Sequence, residues 1–157
     1  MSINSLKSAP RWLATAVLAF AATHAHAGEV SKEQQEANRQ IVLAFYEQGL
    51  NQLNADAAMP YLGERYVQHN PTAPDGPEGF RKFIAFMKEK YPKFHSEIKR
   101  SFTDREYVIL HVHSVREPGT RGNAIVDIFK VENGKIVEHW DVIQAIPETA
   151  ANDNTMF

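Results

Sequence analysis

The chain has 157 residues, a formal net charge of −2 at neutral pH and no cysteine. Its length suits one domain with a substantial core and leaves little room for a second. Without cysteine, disulfides, thiol catalysis and cysteine-type zinc sites are excluded. The near-neutral balance, without a basic stripe, argues against a nucleic-acid partner.

Residues 1–27 are predicted to be a secretory signal peptide and not part of the fold. Lys7 and Arg11 give a basic start, and the apolar run at residues 12–22 is too short to span a bilayer. Residues 25–27 then match an A-x-A cleavage site. If the chain is bacterial, we expect a periplasmic or secreted protein without membrane contact after cleavage; an uncleaved N-terminal anchor is the alternative.

Two helices are predicted before the first strand. Ser31, followed three residues later by Gln34, is a capping-box signal, and an apolar stripe continues from there to about Leu50. The stripe contains Tyr46, whose phenol is either an ordinary core group with a hydrogen-bonded hydroxyl or part of a site. A short second helix is predicted around residues 55–62.

Residues 65–70 alternate in character and predict a short strand that ends at Pro71. One side of this strand holds Tyr66, Gln68 and Asn70, and the other holds Val67 and His69. After a turn-rich loop, Pro77 suits the start of a third helix. Large apolar residues recur in it at helical spacing as far as Tyr91, and Pro92 ends it.

From residue 93 onward the pattern has a period of two, which predicts four antiparallel strands. Two of them span residues 94–102 and 107–115, and the last two form a hairpin, residues 123–144. His111 and His113 share one face of the second of these strands. Both faces of this strand are largely apolar, and the helices can cover only one face of the sheet, so a homodimer through the other face is predicted.

The register of the final hairpin decides which residues face Asp127. A two-residue turn at Asn133-Gly134 would place Asp127 opposite Trp140. A three-residue turn with a left-handed Gly134 would place it opposite His139. Only the second register puts His139 and Asp141 on the face of Asp127.

Helices followed by a run of strands indicate an α+β domain. We place this domain at residues 28–146 and a C-terminal tail at residues 147–157. A curved antiparallel sheet wrapped around the helices would form a cone with one open-ended cavity.

Three sequence segments, YVQHNP, VDIFKV and GKIVEHWDV, together with this element order, resemble the NTF2-like superfamily and most closely its SnoaL-like polyketide cyclase branch. Ketosteroid isomerases share this cone, and their oxyanion-holding tyrosine and acid correspond by motif position to Tyr46 and Asp127. Their general-base aspartate corresponds to Asn70, which cannot take a proton at neutral pH. The resemblance therefore argues against steroid isomerase chemistry.

In SnoaL-like cyclases an aspartate and a histidine inside the cone catalyse an aldol-type ring closure. The resemblance implies Asp127 for the aspartate and His111, or next His113, for the histidine. It also favours the inward facing of His139 and Asp141.

Asp127 lies in an apolar strand, where burial disfavours the charged carboxylate and suits a general acid. The alternative is an acid that bonds a neighbouring histidine for structural reasons alone. His111 and His113 could be acid–base groups, substrate donors or, with Asp127 and His139, metal ligands. Because H-x-H is a weak metal signal, we expect no metal and no cofactor.

The favoured hypothesis is a cofactor-independent lyase or isomerase acting on a small hydrophobic organic molecule. Asp127 and His111 would move a proton next to a carbonyl, Tyr46 and Asn70 would donate to the oxyanion, and His139 and Asp141 would orient the pair. The remaining site residues are weaker candidates: His113 as a substrate contact, and His69 either as a residue of the pocket mouth or as a loop anchor. The rival hypothesis is a domain that binds a small ligand without chemistry.

Overall fold

A computed structural model describes residues 30–157 of the chain. The predicted signal peptide, residues 1–27, lies outside the described residues. Within the described range, the order is helix, helix, strand, helix and four strands, as the sequence predicts. None of the helices in this range is long and apolar enough to cross a membrane.

Helix α1 spans Lys32–Tyr46 and begins at the predicted cap. The Ser31 hydroxyl accepts a hydrogen bond from the backbone N–H of Gln34 at 3.1 Å, which satisfies one of the free donors of the first turn. The helix runs on into a π-helical turn, Glu47–Asn51. Tyr46 therefore lies at the junction of the two, deep in the core.

Helix α2 is a single turn, Ala55–Ala58, extended by a 3₁₀ turn at Met59–Tyr61. Helix α3 spans Gly76–Lys90 and stops two residues before Pro92, as expected from the steric restriction that proline places on its predecessor. Its buried face consists of Gly79, Phe80, Ile84 and Met87.

Five strands form one sheet in the order β1-β5-β4-β3-β2. Their bounds are β1 Leu62–Gln68, β2 His95–Asp104, β3 Tyr107–Val115, β4 Asn123–Glu132 and β5 Lys135–Ala145. The last four are antiparallel, as predicted. The first strand pairs in parallel with β5, which the sequence did not reveal, because a pairing between distant segments leaves no local pattern.

The core lies between the helices and the inner face of the curved sheet. Its fully buried large side chains come from both layers: Val42, Phe45, Ile84 and Met87 from the helices, and Val108, Leu110, Val112, Phe129 and Ile136 from the strands. The predicted α+β cone is thus confirmed.

The turn between β4 and β5 differs from both predicted registers. Asn133 and Gly134 have φ angles of 50° and 74° and form a two-residue turn, so that Val131 pairs with Ile136. Lys130 then pairs with Glu138, which leaves one residue of β5, Val137, without a partner. Val137 is a β-bulge that shifts the rest of the strand by one residue.

Because of this bulge, Asp127 lies opposite Asp141, and neither predicted pairing, with Trp140 or with His139, is right. His139 and Asp141 nevertheless share the inner face with Asp127. The shift by one residue restores the parity that a two-residue turn alone would have reversed.

Candidate active site

A buried carboxyl group, Asp127, is at the centre of the site on the inner face of β4. Its side chain is held at both oxygens: the Tyr46 hydroxyl donates to Oδ2 at 3.1 Å, and His139 Nε2 lies 3.1 Å from Oδ1. The residue is 5% exposed and His139 is 8% exposed. A buried acid paired in this way is held in one orientation by groups from α1 and β5.

The second ring nitrogen of His139 is also engaged. Nδ1 lies 2.9 Å from Gln68 Oε1, while Gln68 Nε2 donates to the Tyr66 hydroxyl at 3.0 Å. With Gln68 oriented in this way, Nδ1 carries a hydrogen and donates it. The short contact between Nε2 and Asp127 then needs one further proton, which resides either on the imidazole or on the carboxyl group.

Tyr46 and Tyr66, at the two ends of this hydrogen-bonded network, act as hydrogen-bond donors and not as bases. Burial first, and then the negative charge of Asp127, raise the pKa of Tyr46 and of Tyr66 well above the ordinary tyrosine value. Both phenols therefore keep their protons near neutral pH. Tyr46 uses its proton on Asp127, whereas the Tyr66 proton has no acceptor within residues 30–157.

A second polar group adjoins the first. Asn70 Nδ2 donates to Asp141 Oδ2 at 2.7 Å, and Asn70 Oδ1 accepts from both the backbone N–H and the hydroxyl of Thr72, at 2.8 and 2.7 Å. The backbone N–H of Gln68 donates to Asp75 Oδ1 at 2.7 Å. These bonds hold the loop between β1 and α3 beside the site.

These polar groups line a cavity of about 150 Å³, comparable in size to cavities that accept benzene. Its apolar wall is formed by Phe45, Phe80, Phe83, Met87, Phe94 and Ile125. Asp127, His139, Tyr46, Tyr66, Gln68 and Asn70 also line it. Asp141 is not one of the lining residues, but it bonds Asn70, which is.

Three side chains of the site also form a possible cation-binding set. One ligand atom each of Asp127, His139 and Asp141 lies within 4.8 Å of the other two. Imidazole and carboxylate donors suit several divalent metals. However, His139 Nε2 is directed at Asp127 Oδ1, so a cation would have to displace this hydrogen bond.

The predicted pairing of Asp127 with His111 is wrong. On β3 the buried side chains are Val108, Leu110, Val112 and Ser114, so His111 and His113 lie on the outer face of the sheet. The His111 and His113 rings pack against Phe157 of the C-terminal tail, at centroid distances of 5.2 and 4.9 Å, and His113 Nε2 contacts the Arg121 carbonyl at 2.8 Å. Because both faces of β3 are largely apolar, the sequence pattern could not show which face packs against the core.

His69 is likewise not part of the cavity. Its ring stacks on Trp140 at 4.4 Å, and its Nε2 lies 3.2 Å from Glu138 Oε2. His69 is not among the residues that line the cavity, so the pocket-mouth role is wrong, and its contact with Glu138 is of the kind that the loop-anchor alternative describes.

The structure brings together five of the predicted residues: Asp127, His139, Tyr46, Asn70 and Asp141. Two site residues were missed as such, Tyr66 and Gln68. The signal was present, since both alternate with Asn70 on one side of the predicted strand.

The cone, its inner-face acid and the cavity around that acid define an NTF2-like α+β protein. The chain belongs to the SnoaL-like domain family, whose model matches residues 42–139. No curated protein matches the chain.

Solved structures of the same fold include a candidate polyketide cyclase from Bacillus cereus ATCC 10987, with 19% identity, a TM-score of 0.61 and coverage of 72% of this chain and 78% of that one. A candidate SnoaL-like polyketide cyclase from Jannaschia sp. CCS1 has 16% identity, a TM-score of 0.59 and coverage of 74% and 91%. An NTF2-like protein of unknown function from Cytophaga hutchinsonii ATCC 33406 has 23% identity, a TM-score of 0.53 and coverage of 68% and 89%. At these identities the likeness establishes the fold.

Proposed function

We propose that this protein is a cofactor-independent lyase or isomerase that moves a proton next to the carbonyl group of a small organic substrate. The observation that carries this proposal is the buried Asp127–His139 pair, whose Oδ1 and Nε2 atoms lie 3.1 Å apart in a cavity with an apolar wall. Such a pair can accept and return a proton without bulk water.

In the proposed reaction, Asp127 takes a proton from the carbon beside the carbonyl. The electron pair of the broken C–H bond forms a carbon–carbon double bond, and the carbonyl oxygen becomes an oxyanion. Tyr66, whose proton has no protein acceptor in the described range, and Asn70 would donate to that oxygen. His139 and Tyr46 hold the two oxygens of Asp127 throughout.

Two outcomes of this enolate conserve atoms and electrons. Return of the proton to a different carbon completes an isomerisation. Attack of the enolate carbon on a second carbonyl forms a carbon–carbon bond, and the proton then goes to the new alkoxide. The family and the candidate polyketide cyclases among its structural neighbours favour the second, aldol-type outcome.

A second candidate function is binding of a small ligand without chemistry. It is favoured by one observation: both oxygens of Asp127 already have protein partners, as in a satisfied structural network. A binder needs no proton transfer, so the two functions are separated by an exchange measurement.

The test is solvent-deuterium exchange in D₂O, followed by proton NMR on a panel of small ketones, β-keto esters and oxo-acids. We expect wild-type protein to accelerate exchange at the carbon beside a carbonyl. Asp127→Asn should lose this activity and keep the wild-type circular dichroism, whereas Asp104→Asn, a matched change on the exposed end of β2, should keep it. Equal activity of Asp127→Asn and wild type would sink the assignment.

The predicted location and assembly are parts of the same proposal. The proposal that the protein is periplasmic or secreted is based on the signal-peptide pattern of residues 1–27. The proposal of a homodimer is based on the outer face of the sheet. That face exposes Phe102, Val126 and Val142, of which Val142 is 70% exposed. A second copy seated there would remove this apolar surface from water.

A further inference from the structure

One end of the cavity, where β3 ends and β4 begins, carries three hydrogen-bond donors that no other group among residues 30–157 uses. Ser114 and Asn123 face each other across the two strands, and Arg116 follows two residues after Ser114. All three line the cavity. Across residues 30–157, their side chains form no hydrogen bond to another protein group, although Ser114 is only 3% exposed. All three groups can therefore donate to a molecule bound in the cavity.

Arg116 also lacks the partner that most arginines in the described part of the chain have. Five of the six other arginines there have a carboxylate within 4.0 Å, the sixth being Arg100. The Arg116 guanidinium instead lies over the Tyr91 ring, 5.5 Å from its centroid. This cation–π contact holds the group at the rim, and its N–H groups have no acceptor among the described residues.

The charges along the cavity differ from one end to the other. Among the described residues that line it, Arg116 is the one arginine or lysine, and Asp127 is the one carboxylate. Asn123 and Asp127 are four residues apart on one face of β4, a separation of roughly 13 Å at the usual rise of a strand. Apolar Ile125 lies between them on the same face. An anionic group on a ligand would be attracted to Arg116, whereas the oxygens of Asp127 at the other end are already bonded by Tyr46 and His139 and offer it no donor.

We propose that Arg116, with Ser114 and Asn123, binds a carboxylate group of the substrate, which is therefore an oxo-carboxylic acid with an apolar spacer. The planar guanidinium can donate two parallel hydrogen bonds to a carboxylate, and the neighbouring hydroxyl and amide add further donors. The assignment of a carbonyl group to the other end of the substrate rests on the proposed function. The assignment of a carboxylate to this end rests on the geometry at Arg116 alone.

The experiment is a binding titration with matched pairs of probes. The probes are methyl-ketone carboxylates of increasing chain length, beginning with levulinate, each with its primary amide. They are titrated by calorimetry into wild type, Arg116→Gln and Arg100→Gln. Arg100 is the matched control because it also lacks a carboxylate partner in the described part of the chain but lies in register with His111, away from the cavity.

We expect wild type and Arg100→Gln to bind the best carboxylate roughly tenfold more tightly than its amide. Arg116→Gln should bind the two equally, with amide affinity unchanged. Absence of any carboxylate preference in wild type, including absence of binding, would overturn the proposal, and so would equal losses in the two arginine variants. Asp127→Asn should keep the preference, so a failure of the catalytic proposal would not be mistaken for a failure of this one.

Discussion

Asp127 and His139 are diagonal neighbours on adjacent strands: Asp127 is directly opposite Asp141, yet His139 Nε2 reaches Asp127 Oδ1 at 3.1 Å. Diagonal positions on one sheet face are within reach of ring side chains. This geometry leaves Asp141 free to bond Asn70 and places the imidazole between the acid and Gln68.

Replacing His139 should therefore have a much larger effect than replacing the outer histidines. His139→Ala leaves Asp127 Oδ1 and Gln68 without their partner, so we expect a loss of about 1–3 kcal/mol in the free energy of unfolding. Exchange activity should fall by about 10²–10⁴-fold. His111→Ala should keep wild-type exchange activity. Denaturant unfolding and the exchange assay measure both effects, and a comparable activity loss in His111→Ala would contradict the placement.

The raised pKa of Tyr46 and Tyr66 predicts a specific alkaline response. A phenol whose pKa is higher in the folded state than in the unfolded state stabilises the protein fully below about pH 10. This contribution is lost as the pH rises from there towards the folded-state pKa, because only the unfolded chain releases the proton. Tyr66→Phe should make the loss of stability above about pH 10 less steep, which unfolding at a series of pH values would measure.

The same tyrosines should not create an alkaline limb in the activity profile below about pH 10. Their protons stay on the folded protein in that range. The prediction would be contradicted if exchange activity fell with rising pH already below about pH 10 and this fall disappeared in Tyr66→Phe.

Gly79 allows α3 to approach the loop that lines the cavity. A Cβ at this position would come within 2.4 Å of the Pro74 carbonyl oxygen, which is backbone and cannot rotate away. We expect Gly79→Ala to lower the free energy of unfolding by about 1–3 kcal/mol. Lys82→Ala, an exposed change on the same helix, should stay within about 0.5 kcal/mol. Equal stability of both variants would show that the loop yields without cost.

The proposed chemistry needs no metal, and the bond from His139 Nε2 to Asp127 competes with metal binding. We expect a chelator to leave exchange activity unchanged and added divalent ions to leave the melting temperature unchanged. The contrary result would be a rise in melting temperature with one ion that is lost in Asp141→Asn. That pattern would move the reaction class to metal-assisted chemistry.

The predicted homodimer can be tested at Val142. Introducing a charge into an apolar interface is strongly unfavourable, so Val142→Glu should convert a dimer to a folded monomer in sedimentation experiments. Ala85→Glu, on the exposed face of α3, is the control. A monomeric wild-type protein would refute the prediction.

Local sequence patterns predicted the ends of helices and the facing of a strand, because these features depend on residues close together in the chain. The Ser31 cap, the end of α3 before Pro92 and the alternation that put Tyr66, Gln68 and Asn70 on one side all follow from short-range sterics and hydrogen bonding. Asp127 was also identified locally, since an acid in an apolar strand needs a partner or a role.

By itself the sequence determined the α+β element order, the cone and the central acid. Only the tertiary structure decided which histidine meets that acid. His111 and His139 are equally plausible in the chain because β3 is apolar on both faces and one bulged residue, Val137, sets the parity of β5. The facing of a strand depends on what packs against it, and the parallel partner β1 and the helix layer are brought there by distant parts of the chain.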